Sequence, residues 1–133
     1  MTIKTVDYEY HHMGIPTQEV REGEKYSSTF KMYTSGGQDT EFRIQYHRFE
    51  EGSSLHPLIQ KVPHIAFKVS NLEEAIKNKE VVLGPYEPIA GFKVAMIIEK
   101  GVPIEFIETT LSEEEIWLGE HKNSVIYPEE ATN

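Results

Sequence analysis

Apolar and polar residues alternate with period two over Val62-Pro63-His64-Ile65-Ala66-Phe67-Lys68-Val69. Such alternation predicts a strand with one face buried. Ile65, Phe67 and Val69 fall on one side, and His64, Ala66 and Lys68 on the other. The small Ala66 leaves room around the imidazole of His64. Ser70-Asn71-Leu72-Glu73 follows as a capping-box pattern and opens the helical run Glu74-Ala75-Ile76-Lys77. A histidine thus stands at the start of a strand that feeds a helix.

The same reading carries along the rest of the chain. Residues 1–7 form a lead-in. Tyr8 to Ile15 reads as a strand closed by Pro16-Thr17. By parity His12 shares a face with Tyr10, Tyr8 and Gly14, while His11 goes with Met13 and Ile15. The two adjacent histidines therefore line opposite faces unless a bulge intervenes. His11 is expected to turn away from any site, so that His11→Ala leaves metal binding within a few-fold of the parent. Gln18 to Lys25 is polar and reads as a loop with at most one helical turn. Tyr26 to Thr34 reads as one strand, Ser35-Gly36-Gly37-Gln38-Asp39 as a turn, and Glu41 to Phe49 as the return strand of a hairpin. Glu50 to Lys61 is a connector. Val81-Val82-Leu83 is a short strand, followed by the turn-rich Gly84-Pro85-Tyr86-Glu87-Pro88. Phe92 to Glu99 and Val102 to Glu108 are strands joined at Lys100-Gly101. Ser112 caps an acidic helix over Glu113 to Leu118, and the chain from His121 onward reads as frayed. The order strand–helix–strand–strand–strand in the second half is echoed in reduced form by the first. The division is one domain: a first module at about 7–50, a second at about 62–110, and an acidic extension over 111–133.

Composition narrows the function. Thirteen Lys and Arg against 22 Asp and Glu give a net charge of −9, with much of the acid near the C-terminus. With no dominant basic patch, nucleic acid and anionic membranes are not expected partners. The chain has no cysteine, which removes disulfides and thiolate ligands and fits a reducing cytoplasm. The N-terminus lacks an apolar leader, and no apolar run approaches membrane-spanning length.

Three residues stand out chemically. His64 opens the strand that feeds the helix. Glu105 sits between Ile104 and Phe106 in the last one. It is either an edge-strand carboxylate facing water or a buried group that needs a partner, because an unpaired buried carboxylate costs several kcal/mol. His12 is the third. Two imidazoles and a carboxylate on separate strands of a curved sheet can hold a divalent metal. Gln45 in Ile44-Gln45-Tyr46 parallels Glu105 in Ile104-Glu105-Phe106 and offers an amide oxygen. His47, two residues on, shares its face and is a candidate for contact with substrate. The other reading of Gln45 and His47 is a polar sheet face under water. Arg43, Arg48, Lys68 and Lys93 could supply a cation for an anionic substrate, and Tyr46 and Tyr86 could line a pocket. His56 and His121 read as solvated loop histidines. There is no phosphate-binding glycine loop, nucleophile elbow or Ser/His/Asp signature.

These stretches resemble the glyoxalase / bleomycin-resistance / dioxygenase group, the vicinal oxygen chelate superfamily. His12-Met13-Gly14-Ile15 resembles its opening strand. Val62 to Val69 running into Asn71-Leu72-Glu73-Glu74-Ala75 resembles the start of its second module. Gly101-Val102-Pro103-Ile104-Glu105-Phe106-Ile107-Glu108 resembles its closing strand. The likeness spans about residues 7 to 110. It implies an α+β fold of paired βαβββ modules whose strands form a curled mixed sheet around a central pocket, here with the first module's helix reduced or absent. It implies a divalent ion (Zn, Ni, Mn or Fe) on His12, Gln45, His64 and Glu105, with Gln45 where the family often has Glu. Glu105, Gln45 and His47 are the candidate catalytic residues. The implied activity is that of an isomerase, epimerase or lyase acting on a small oxygen-rich substrate through a metal-stabilised enediolate. The alternatives are an Fe(II) extradiol-type dioxygenase on His12, His64 and Glu105, and a non-catalytic small-molecule binding or resistance protein. A homodimer is implied as well.

Overall fold

The period-two stretches assemble into a single sheet. The computed structural model of the chain describes residues 5–37 and 40–118. Among them run β1 (Tyr8–Pro16), β2 (Lys25–Ser27), β3 (Met32–Gly36), β4 (Ile44–Phe49), α1 (Pro57–Lys61), β5 (His64–Val69), α2 (Leu72–Ile76), β6 (Glu80–Ile89), β7 (Phe92–Glu99), β8 (Val102–Thr109) and α3 (Glu113–Leu118). The strands form a curled, mixed sheet in the order β2-β3-β4-β1-β5-β8-β7-β6, an α+β fold with few short helices.

That order has an internal symmetry. β2-β3-β4-β1 in one half matches β6-β7-β8-β5 in the other. β1 pairs parallel to β4, as β5 pairs parallel to β8, and the halves join where β1 and β5 run antiparallel. The first strand of each half is therefore central.

The faces follow parity. Val69, Ala95, Ile97 and Phe106 turn outward and pack with Leu72 and Ala75 of α2. Ala66, Phe92, Val94 and Ile107 turn inward and pack with Ile116 of α3. Each helix has a local cause. Asn71 caps α2 by accepting a hydrogen bond from the Glu74 N–H at 3.1 Å. In α3, Ser112 Oγ accepts from the Glu115 N–H at 3.1 Å, and Glu115 Oε1 accepts from the Ser112 N–H at 2.9 Å, a reciprocal capping box.

Several expected elements differ. Tyr26 to Thr34 is two strands, because Ser27 Oγ accepts from the Phe30 N–H at 3.2 Å and Lys31 takes φ +51°, which turns the chain back on itself. The connector before β5 contains α1, capped by His56, whose Nδ1 accepts from the Leu58 N–H at 3.1 Å; this histidine is a cap rather than a free loop residue. Residues 17–24 hold no helical turn. Val81 to Ile89 is one continuous strand, not a short strand and a turn. It passes Gly84, Pro85 and Pro88 through three register shifts, which an edge strand tolerates. The expectations for Gln38, Asp39, His121 and the frayed tail lie outside the described residues.

Ile97, 2% exposed and on the outward face under α2, separates fold from site. Ile97→Ala is expected to lower stability in urea by about 2–5 kcal/mol and to leave metal affinity unchanged, measured by denaturation and metal titration on one preparation.

Candidate metal centre

The register lays the candidate side chains in two rows across the centre of the sheet. In one row Gln45 of β4 and His64 of β5 flank Gly14 of β1. In the other, His12 of β1 and Glu105 of β8 flank Ala66 of β5. The rows are related as the two halves are: a histidine on each first strand, a small residue two positions further on, and Gln45 and Glu105 as counterparts on each last strand.

The small residues create the space. An ideal Cβ on Gly14 would lie 2.1 Å from His64 Cε1, so only glycine lets that imidazole lie across β1. Ala66 is fully buried beneath the second row.

His12, His64 and Glu105 offer ligand atoms within 4.8 Å of one another. Glu105 Oε1 lies 3.1 Å from His64 Nε2 and 3.6 Å from His12 Nε2. Glu105 sits on an interior strand, so it is the buried carboxylate with partners and not the solvent-facing one. Burial opposes its ionisation, yet the two imidazoles beside it outweigh this and hold its carboxyl well below the usual range. His64 Nε2 nevertheless makes no hydrogen bond, although it is buried and close to a carboxylate oxygen. Atoms that converge at short range without donor-to-acceptor alignment are arranged as ligands are around a shared cation. Two imidazoles and a carboxylate are also a donor set that suits Zn, Fe, Ni or Mn. The residues fit a divalent ion.

The three groups open onto a cavity of about 220 Å³. Phe30, Met32, Phe49, Leu83, Phe92 and Met96 are among the apolar residues of its lining. Gln45 and His47 also line it. His47 Nδ1 lies 3.0 Å from Thr34 Oγ1, and its ring stacks on His64 with centroids 5.4 Å apart. Its Nε2 is buried with no partner. Burial and the nearby imidazoles of His64 and His12 push His47 down to about 3, against the weaker pull of Glu105, so it is neutral at ordinary pH.

Some expectations fail here. His11 does not turn away. A bulge between Tyr10 and His12 breaks the parity of β1, and His11 is 1% exposed, lining the same cavity as His12. Its Nδ1 is 2.8 Å from His12 Nδ1 and its Nε2 is 2.9 Å from Glu113 Oε1. Burial and the neighbouring His12 lower its pKa, against the pull of Glu113 and Glu105. None of the expected cations lines the cavity. Arg48 forms a two-point pair with Glu24 at 2.9 and 2.7 Å and covers Tyr33. Arg43 and Lys68 approach Glu113, and Lys93 is exposed. Tyr86 lines the cavity, whereas Tyr46 lies under Arg21. Sequence reasoning missed α3 altogether as part of the site: Ile116 and Trp117 line the cavity, and Glu113 holds His11. The one signal was the paired histidine in β1, which demands a bulge if both are to be buried.

Comparison of the chain with protein-family models, with curated proteins and with solved structures returned no match. No helix among the described residues is long and apolar enough to cross a membrane.

Two outcomes follow from this geometry. Gly14→Ala displaces His64 and is expected to weaken metal binding at least tenfold with little loss of secondary structure; a metal titration beside far-ultraviolet circular dichroism checks it. The second concerns acid. In the metal-free protein His47 stays neutral down to about pH 3, whereas the unfolded chain protonates near the ordinary histidine value of about 6.5. The unfolded state thus binds more protons between those values, and stability falls as pH drops from about 6.5 towards 3. Glu105, depressed in the fold, adds a loss of the same sign below the usual carboxylate range. Urea midpoints measured with chelator present should fall steadily from pH 7 to pH 4, and a flat profile would contradict the assigned protonation states.

Proposed function

We propose that this chain is a divalent-metal enzyme of the glyoxalase / bleomycin-resistance / dioxygenase group. On this reading its two halves, β1–β4 and β5–β8, are paired modules of βαβββ type, the first without its helix. The observation that carries the reading is the meeting of His12, His64 and Glu105 at the head of an apolar cavity, with His64 Nε2 lacking a hydrogen-bond partner.

The residues suggest a division of labour. His12, His64 and Glu105 hold the ion. Gln45 occupies the position related to Glu105 by the symmetry of the sheet, and its amide oxygen is the fourth ligand. When bound, the ion acts as a Lewis acid towards an oxygen-bearing substrate. His47, neutral and held through Nδ1 by Thr34, presents its free Nε2 to the same space, where it can accept or donate one hydrogen bond. The aromatic and aliphatic walls exclude water and receive an apolar substituent. A cavity of about 150 Å³ takes a benzene-sized body. The space here, about 220 Å³, suits a small ring or branched chain carrying carbonyl and hydroxyl oxygens. The reaction class we favour is isomerisation, epimerisation or lyase chemistry at carbon beside that carbonyl.

One observation favours a second reading. The residues that converge are two histidines and one carboxylate, the set that non-haem Fe(II) oxygenases use. Gln45 is then a bystander, and the protein is an extradiol-type dioxygenase.

Elemental analysis of protein purified without chelator or affinity-tag metal separates the readings. One equivalent of Ni, Zn or Mn, lost in both His64→Ala and Glu105→Ala while the fold survives, supports the first; weaker metal binding in Gln45→Ala would place the amide among the ligands. Iron with oxygen sensitivity, indifferent to Gln45→Ala, supports the second. Retained stoichiometric metal in both His64→Ala and Glu105→Ala would sink the assignment. No metal even after reconstitution would leave a small-molecule binding protein.

A further inference from the structure

The bulge in β1 places a second imidazole directly behind the first, and α3 places a carboxylate behind that. His12 Nδ1 meets His11 Nδ1 at 2.8 Å, and His11 Nε2 meets Glu113 Oε1 at 2.9 Å. With neutral rings, only one arrangement of protons satisfies both contacts. An ionised carboxylate has no proton to give, so His11 Nε2 carries the hydrogen and donates it. His11 Nδ1 is then a bare acceptor, and the proton between the two Nδ1 atoms belongs to His12. His12 Nε2 is therefore left as a lone pair. It points to the region where Glu105 Oε1 lies 3.6 Å away and His64 Nε2 is also gathered.

The surroundings keep this chain of contacts in place. Glu113 accepts a hydrogen bond from the Trp117 indole N–H at 3.0 Å, with Arg43 Nε at 3.6 Å and Lys68 Nζ at 4.0 Å. Trp117 stacks on His11, with centroids 5.7 Å apart and planes 5° from parallel, and meets His12 edge-on. Arg43 Nη1 donates to the His11 carbonyl at 3.1 Å, which pins the bulge. Gly37, at φ +110°, has no room for a Cβ because Trp117 would be 2.7 Å from it.

We propose that Glu113 and His11 are positioning residues of the metal centre, a carboxylate–imidazole–imidazole relay that fixes His12 as the Nδ1–H tautomer and leaves its Nε2 free for the ion. This rests on the metal reading of the site. It gives the C-terminal helix a role in ligand placement, since hydrogen-bonded partners of ligating histidines set ring orientation and raise basicity. A doubly protonated His11 would reverse the polarity. It would donate to His12 Nδ1, put the His12 proton on Nε2 and block the ion.

The test uses the full chain, labelled with ¹⁵N, freed of metal and then titrated with Zn²⁺. Long-range ¹H–¹⁵N spectra of the imidazoles report each tautomer, and competition with a chromophoric chelator reports zinc affinity. The expected result in the parent is a proton on His12 Nδ1 and on His11 Nε2, before and after zinc. Glu113→Ala should weaken zinc binding by about 10–100-fold and release His11 from its single tautomer. Glu113→Gln, whose amide oxygen still accepts from His11 Nε2, should keep the tautomers and recover most of the affinity. A proton on His12 Nε2, a doubly protonated His11, or unchanged zinc affinity in Glu113→Ala would overturn the relay while leaving the metal centre standing. A parent with the expected tautomers that takes up no zinc would contradict the metal centre itself, and the relay's role with it.

Discussion

The structure turns on a largely buried carboxylate held against the Nε2 atoms of two imidazoles. Glu105 is on an interior strand, 14% exposed at its side chain, and its nearest polar neighbours are His64 Nε2 and His12 Nε2. Leaving a carboxylate there unpaired would cost several kcal/mol. Its placement therefore needs positive charge, either protons on the imidazoles or a cation among the three. On the proposed reading it is the cation, since His64 Nε2 approaches closely without the alignment of a donor. Much else in the sheet serves that meeting. Gly14 yields its side-chain volume to His64, and Ala66 keeps the second row low.

The doubling of the strand order explains how so short a chain builds a site of this kind. Each half alone brings one histidine and one amide or carboxylate to its first and last strands. The antiparallel junction of β1 and β5 brings the two sets together. The symmetry is broken where chemistry differs. The second half has Glu105 and a helix, α2, over its outer face. The first half has Gln45, and in place of the helix a loop. α3 closes the cavity with Trp117 and Ile116.

The central strands were legible in the sequence because parity is a strong constraint where one face is buried. Ile65, Phe67 and Val69 against His64 and Ala66, and Ile104 and Phe106 against Glu105 and Ile107, all lie on the sides that alternation assigns. His12 was grouped correctly with Gly14, but Tyr8 and Tyr10, expected on the same face, pair with Val69 and Phe67 on the other side of the sheet. His11 was misplaced too, since counting alternate residues assumes one residue per rung, and the bulge breaks that assumption at the site itself. The hairpin within Tyr26 to Thr34 was hidden by β-forming residues on both sides of the turn, which Ser27 and Lys31 make through a hydroxyl and a positive φ. The role of α3 had no local signature. Its cap was readable from Ser112 and Glu115, but where a terminal helix docks depends on partners distant in sequence, here His11 and Arg43.

X-ray absorption at the zinc edge, on the full chain loaded with one equivalent of Zn²⁺, would test the centre most directly. Two imidazole nitrogens are expected at about 2.0–2.1 Å, seen through the multiple scattering of their rings, together with oxygen ligands at similar distance. A shell of oxygen alone, with no imidazole scattering, would mean that the ion sits elsewhere and that His12, His64 and Glu105 meet for another reason.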